Sequence, residues 1–197
     1  MKAKKLKHYN IPGHAHELTF SCYHGYNYLI DPKACELFLS ELESSKKTFN
    51  LKIWAYVLMP THVHILLWPM ETAYDIARIL NETKGRMAKE YRDFILKRRP
   101  ETFESFTVYN KYKARSIFRF WQKSGGFDRN LWHAKAIRNA INYIEANPVK
   151  KKLAQYPENY KWSSAYARAN NVGLIPDTFQ MPVELLNPKV QRIGISQ

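Results

Sequence analysis

The chain has 197 residues, 31 of them Lys or Arg against 17 Asp or Glu, for a formal charge of +14. That length suits one domain with a filled core and hardly accommodates two. With 45% apolar and 14% aromatic residues this is no disordered basic tail, and the charge points to a polyanionic partner, nucleic acid first. A membrane fits poorly, because no apolar run nears about 18 residues and no basic amphipathic helix stands alone. The charged start MKAKKLKHYN is followed by no apolar stretch, which argues against a secretory signal. Cys22 and Cys35 are the only cysteines, too few for a disulfide framework and suited to a reducing, cytoplasmic setting.

In chain order, residues 1–12 read as a basic N-terminal arm ending at Pro12-Gly13. Residues 16–23 (HELTFSCY) combine β-branched and aromatic side chains and predict a strand. Pro32 opens a helical stretch to residue 47, with Ala34, Leu37, Phe38 and Leu42 on one face. Two apolar runs, 51–59 and 62–68, are separated only by Pro60-Thr61 and predict an antiparallel hairpin. Helical periodicity returns over 73–97 through Ile76, Ile79, Leu80, Met87, Tyr91 and Phe94. Residues 101–116 show no period and read as a loop or insertion, and 116–122 (SIFRFWQ) predict a strand closed by Gly125-Gly126. The stripe Leu131, Ala134, Ile137, Ile141 and Ile144 predicts a further helix, which Pro148 should stop near Asn147. This order predicts an α+β fold: a ferredoxin-like split β-α-β with a central antiparallel sheet and packed helices, one domain over 13–170 followed by a C-terminal tail over 171–197.

The charge is concentrated. Residues 84–138 hold 15 Lys or Arg against 5 Asp or Glu, together with Tyr91, Tyr109, Tyr112, Phe118, Phe120, Trp121 and Trp132. Cations interleaved with rings suit unpaired nucleotides, phosphates meeting Lys and Arg while bases stack. Lys84, Arg86, Arg115, Arg119, Lys123 and Arg129 are the candidate DNA-binding residues. The plainer alternative is a solvated helix face, and most of these aromatics belong to the core.

Two segments hold candidate chemistry. In WAYVLMPTHVHILLW, His62 and His64 are two apart in a strand, so both imidazoles leave one face while Val63, Ile65 and Leu67 line the other. Paired neutral imidazoles suit a divalent metal, although a solvated sheet face carries the same pattern. His14 and His16 repeat the spacing at a strand entrance, which shows how easily it arises. In INYIEANPVKKK, Tyr143 and Asn147 are neighbours on one helix face, with Tyr143 off the apolar stripe. A tyrosine there is either an amphipathic rim residue or a nucleophile, which would need an adjacent cation to attack at neutral pH.

YVLMPTHVHILL resembles the histidine–hydrophobic–histidine signature of the single-tyrosine HUH transposases. YIEANPVKKKL with NYKWSSA resembles the tyrosine-helix region of the subgroup associated with repetitive extragenic palindromes (REP), and FWQKSGGFDRNLW the strand and loop before it. The resemblance spans about residues 14–166. It implies a metal-dependent single-strand DNA endonuclease and strand transferase on a ferredoxin-like fold. It further implies His62, His64 and Asn147 as ligands of Mg²⁺ or Mn²⁺, Tyr143 as the nucleophile forming a 5′-phosphotyrosine link, and single-stranded or hairpin DNA as partner to a monomer or homodimer. Two competing readings are a non-catalytic single-stranded nucleic-acid-binding protein on the same fold and a nuclease that uses activated water. Thr61 differs from the polar residue often found there in relatives, with no consequence attached to it.

Overall fold

The computed structural model describes residues 8–123 and 126–179. Its elements run β1 (Ala15–Ser21), α1 (Pro32–Thr48), β2 (Leu51–Met59), β3 (His62–Pro69), α2 (Ile76–Arg98), β4 (Thr107–Asn110), β5 (Arg115–Phe118), β6 (Phe127–Leu131), α3 (Ala134–Lys150) and α4 (Ser164–Asn170). Three of these four helices start on a side-chain cap: Asp31 accepts from Lys33 N with Pro32 in the first turn, Asp75 accepts from Arg78 N, and Ser163 accepts from Tyr166 N.

Strands β2, β3, β1 and β6 form one antiparallel sheet in that order, the split β-α-β arrangement with each neighbour antiparallel. Period-two alternation sends its side chains into two separate apolar clusters. Leu18, Phe20, Leu58, Val63, Ile65 and Leu67 pack beneath α1 and α2 with Phe38, Met87 and Tyr91. On the other face Val57, Met59 and Leu66 pack against Ile137, Ala140 and Ile144 of α3. The β2–β3 register shifts between Ile53 and Ala55, so two successive residues, Trp54 and Ala55, join the α3-side cluster. Among the described residues no helix is long and apolar enough to cross a membrane.

Three expectations from the sequence need correction. The strand that closes the sheet is β6, not residues 116–122; β5 pairs instead with β4 in a separate two-stranded unit. The sequence of β6, FDRNL, is apolar only at its two ends, and its middle three residues are polar. Arg129 Nε donates to Glu17 at 3.0 Å, and Asp128 meets the Nδ1 atoms of His8 and His16 at 2.7 and 2.8 Å. Among the described residues, the stretch after β5 meets the main sheet just beyond the end of β1, through an isolated bridge between Cys22 and Trp121. Part of the stretch read as loop is ordered as well, with a 3-10 helix over Pro100–Phe106 leading into β4. Finally, α3 does not stop before Pro148 but runs to Lys150. Proline withdraws the amide that Ile144 O would accept, and Asn147 Nδ2 lies 3.5 Å from that carbonyl, softening the loss.

Residues at both ends of the described chain lie against the domain. Tyr9 O accepts from Asn130 Nδ2, Asn10 Oδ1 accepts from Ile76 N, and Ile11 O accepts from the Tyr74 hydroxyl. At the other end Tyr56 Oη donates to Leu174 O, and Asp177 accepts from Ile53 N. The remainder of the N-terminal arm (1–7) and of the C-terminal tail (180–197) lies outside the described residues.

Candidate active site

His62 and His64 leave β3 on the side facing α3, and their Nε2 atoms approach to 3.1 Å. Each opposite ring nitrogen is held by a threonine: His62 Nδ1 lies 2.7 Å from Thr61 Oγ1, and His64 Nδ1 lies 2.8 Å from Thr19 Oγ1. Thr19 is the cross-strand register partner of His64, so sheet pairing itself delivers that hydroxyl. When each Nδ1–H donates to its threonine, both Nε2 atoms keep their lone pairs and point them at one another. Lone pairs this close repel unless a proton or a cation lies between them. Ligand atoms about 90° apart around a small cation, at about 2.1 Å from it, are separated by about 3 Å, which the pair matches. Burial pushes His64 down to about 4, with the neighbouring His62 adding to it; burial and then Lys151 lower His62. Both rings are therefore neutral at pH 7, the form that binds metal. Donor chemistry, orientation and protonation all fit a divalent cation.

Helix α3 brings the other half of the site. Its position is fixed by Ile137, Ala140 and Ile144 in the core and by the buried carboxylate of Glu145, which accepts from Ser164 Oγ at 2.7 Å and from Arg168 Nη2 at 2.7 and 2.8 Å. With that face inward, Tyr143 stands at the rim, 45% exposed, its ring edge-on to His64 with centroids 5.9 Å apart. Lys150 lies two turns on, and its Nζ sits 4.5 Å from the centre of the Tyr143 ring. Asn147 is buried one turn from Tyr143 and donates from Nδ2 to the Tyr143 carbonyl at 2.8 Å, leaving its amide oxygen as the ligand-type atom. Among the described residues no group of three or more His, Cys, Asp and Glu side chains gathers around a possible metal position. A cation between His62 and His64 would thus keep open positions for other oxygens, as a working site requires.

The second histidine pair does not converge. His16 is fully buried between Asp128 at 2.8 Å and the Tyr74 hydroxyl at 2.9 Å, while His14 stacks on Trp132 with centroids 5.1 Å apart. The six candidate DNA-binding residues separate into two kinds. Arg86 is tied to Glu41 and Glu82, and Arg129 to Glu17. Lys84 lies over the rings of Phe20 and Trp121, where burial lowers its ammonium to about 8. Together with Arg119 and Lys123 it lines one shallow groove beside α2, and Arg115 lines the adjoining one with Lys89 and Arg92.

Sequence reasoning missed Thr19, Thr61 and Lys150. Thr61 directly precedes His62, and Lys150 is seven residues after Tyr143, almost in line on the helix, so both were within reach. Thr19 was not, because its role depends on the β1–β3 register.

No protein-family model matches the chain, and no curated protein matches it either. Among solved structures, that of a REP-associated tyrosine transposase bound to a REP hairpin superposes with a TM-score of 0.64 at 16% identity, covering 91% of this chain and 93% of that one. The two share one fold. A candidate transposase from Deinococcus radiodurans R1 gives a TM-score of 0.42 at 18% identity, covering 72% of this chain and 95% of that one.

Proposed function

We propose that the chain is a single-tyrosine HUH transposase of the REP-associated type, a metal-dependent enzyme that nicks single-stranded DNA and transfers the strand through Tyr143. The facing Nε2 atoms of His62 and His64, with the Tyr143 ring edge-on beside them, carry this reading. The shared fold supports it, and the hairpin held by the solved transposase suggests hairpin or palindromic DNA as the substrate.

His62, His64 and the Asn147 amide oxygen would hold Mg²⁺ or Mn²⁺, whose contribution is to polarise the scissile phosphate as a Lewis acid. The remaining steps belong to the chain. Tyr143 Oη attacks phosphorus, its O–H proton passes to water, and the P–O3′ bond breaks as the P–Oη bond forms. The 3′ oxygen leaves as a hydroxyl after taking a proton. Lys150 places a positive charge beside the nucleophile, adding to the field that the approaching phosphate meets there. Because the phosphotyrosyl ester conserves the bond, attack by a free 3′-hydroxyl reverses the step and joins strands without external energy. The test is a denaturing gel of the protein with labelled hairpin DNA and Mn²⁺. A covalent adduct on wild type supports the reading, whereas cleavage without adduct, or binding alone, sinks it.

A further inference from the structure

The segment between β1 and α1 contributes nothing to the chemistry above, yet it displays a row of rings. Tyr23 and His24 meet with centroids 4.2 Å apart, His24 and Tyr26 with centroids 6.1 Å apart, and Tyr26 is 52% exposed. Left-handed backbone at His24 (φ 51°) and Gly25 (φ 70°) makes the reversal between these rings, a turn that glycine allows at no steric cost. Tyr28 roots the segment: its ring packs on Phe106 and Phe120, and its hydroxyl donates to Ser105 O at 3.1 Å.

Two further observations give the row a partner. The Arg119 guanidinium lies 5.6 Å from the Tyr23 ring centre, and His24 N donates to Gln122 Oε1, so the rings adjoin the groove lined by Lys84, Trp121 and Lys123. Among the described residues no carboxylate within ion-pairing distance neutralises Lys84, Arg119 or Lys123, unlike Arg86 and Arg129. The segment is also joined to the turn carrying His62: Cys22 N donates to Thr61 O at 2.8 Å, and Leu29 N to Pro60 O at 3.0 Å. Single exposed tyrosines are ordinary. A run of rings along an unneutralised cationic groove, attached to the turn that precedes a metal ligand, matches unpaired nucleotides, whose bases offer free faces and whose phosphates need cations.

We infer that Tyr23, His24 and Tyr26, backed by Arg119, form a stacking platform for unpaired bases of the DNA, with the phosphates of those nucleotides running along Lys84 and Lys123. This rests on the reading that the chain acts on DNA, and it names the part of the substrate held there: a single-stranded segment and not a duplex stem, whose bases are already stacked. Binding is measured in a chelator, so that no strand is cut, using one hairpin with an unpaired extension and the same hairpin blunt. Wild type binds the extended hairpin more tightly, and a Tyr26→Ala/Arg119→Ala variant loses roughly tenfold on it but less than about twofold on the blunt form. With 5-iodouracil in the extension, ultraviolet crosslinks on wild type map to the peptide holding residues 23–26. Equal losses on both DNAs, crosslinks elsewhere, or no binding of either DNA overturns the platform. Adduct formation by wild type with Mn²⁺ is scored separately, so a missing adduct with the crosslink intact removes the Tyr143 assignment and leaves the platform standing.

Discussion

Thr19 Oγ1 on β1 lies 2.8 Å from His64 Nδ1 on β3, at a register pair of the central sheet. By accepting from Nδ1–H, the hydroxyl would leave the lone pair of His64 on Nε2, and it would do so from a different strand. Replacing Thr19 by Val keeps the shape and removes the acceptor, freeing the ring to take either tautomer. Mn²⁺ affinity by calorimetry should fall about 10- to 100-fold with an unchanged circular dichroism spectrum, and Thr61→Val should do the same through His62. Unchanged affinity in both variants would show that the threonines are bystanders.

Tyr143→Phe deletes one half-exposed hydroxyl and keeps the ring edge that meets His64. Stability should shift by less than about 0.5 kcal/mol, and hairpin affinity should hold, while strand cleavage and covalent adduct both vanish. The phenylalanine variants of Tyr109 and Tyr156, both exposed, serve as controls and should form adduct. Adduct on the Tyr143→Phe protein would pass the nucleophile's role to another residue, which peptide mapping would name.

Glu145 holds α3 to α4, and its removal tests whether that seating positions Tyr143. Glu145→Ala leaves Ser164 without its acceptor and Arg168 without its ion pair, at a cost of about 1–3 kcal/mol in denaturant unfolding. Cleavage should fall more than hairpin binding, because the nucleophile moves while the cationic groove beside α2 does not. Parallel losses in the two assays would argue for a purely structural role.

Protonation gives a fourth test. His64 titrates near 4 in the folded chain against 6.5 as its ordinary value, so the unfolded state takes up the proton first as pH falls. Its contribution to stability is full above about pH 6.5, declines at up to about 1.4 kcal/mol per pH unit below that, and levels off beneath pH 4. Thermal melts from pH 7 to pH 4 without metal should show this decline, and a His64→Asn variant should show a shallower one. Identical slopes would mean that other groups govern the acid side.

Periodicity made most of the fold legible. Both early helices, the β2–β3 hairpin and the face shared by His62 and His64 follow from side-chain spacing alone. What stayed hidden was held by polar partners. Strand β6 has no apolar alternation, and its pairing depends on Glu17, His8 and His16, which lie over a hundred residues away. The run past Pro148 hid for a similar reason, since the Asn147 side chain stands near the carbonyl that proline leaves without a donor. The site divided the same way: its chemical groups could be read from local motifs, whereas Thr19 depends on strand register.

Strand β2 borders the sheet, yet its outward amides do not await a neighbour. Ile53 N donates to Asp177, Tyr56 N to Ser164 Oγ and Leu58 N to Trp162 O. The chain's own later residues thus occupy the seam where a foreign strand would zip on, which guards the long hydrophobic run of β2 against edge-to-edge aggregation. Two copies seeking to merge their sheets would have to meet along β6, the strand that Arg129, Asp128 and Asn130 fill with polar side chains. Strand-swapped or fibrillar association through β2 first requires residues 162–177 to peel away, so a truncation before residue 162 should turn a well-behaved protein into a sticky one.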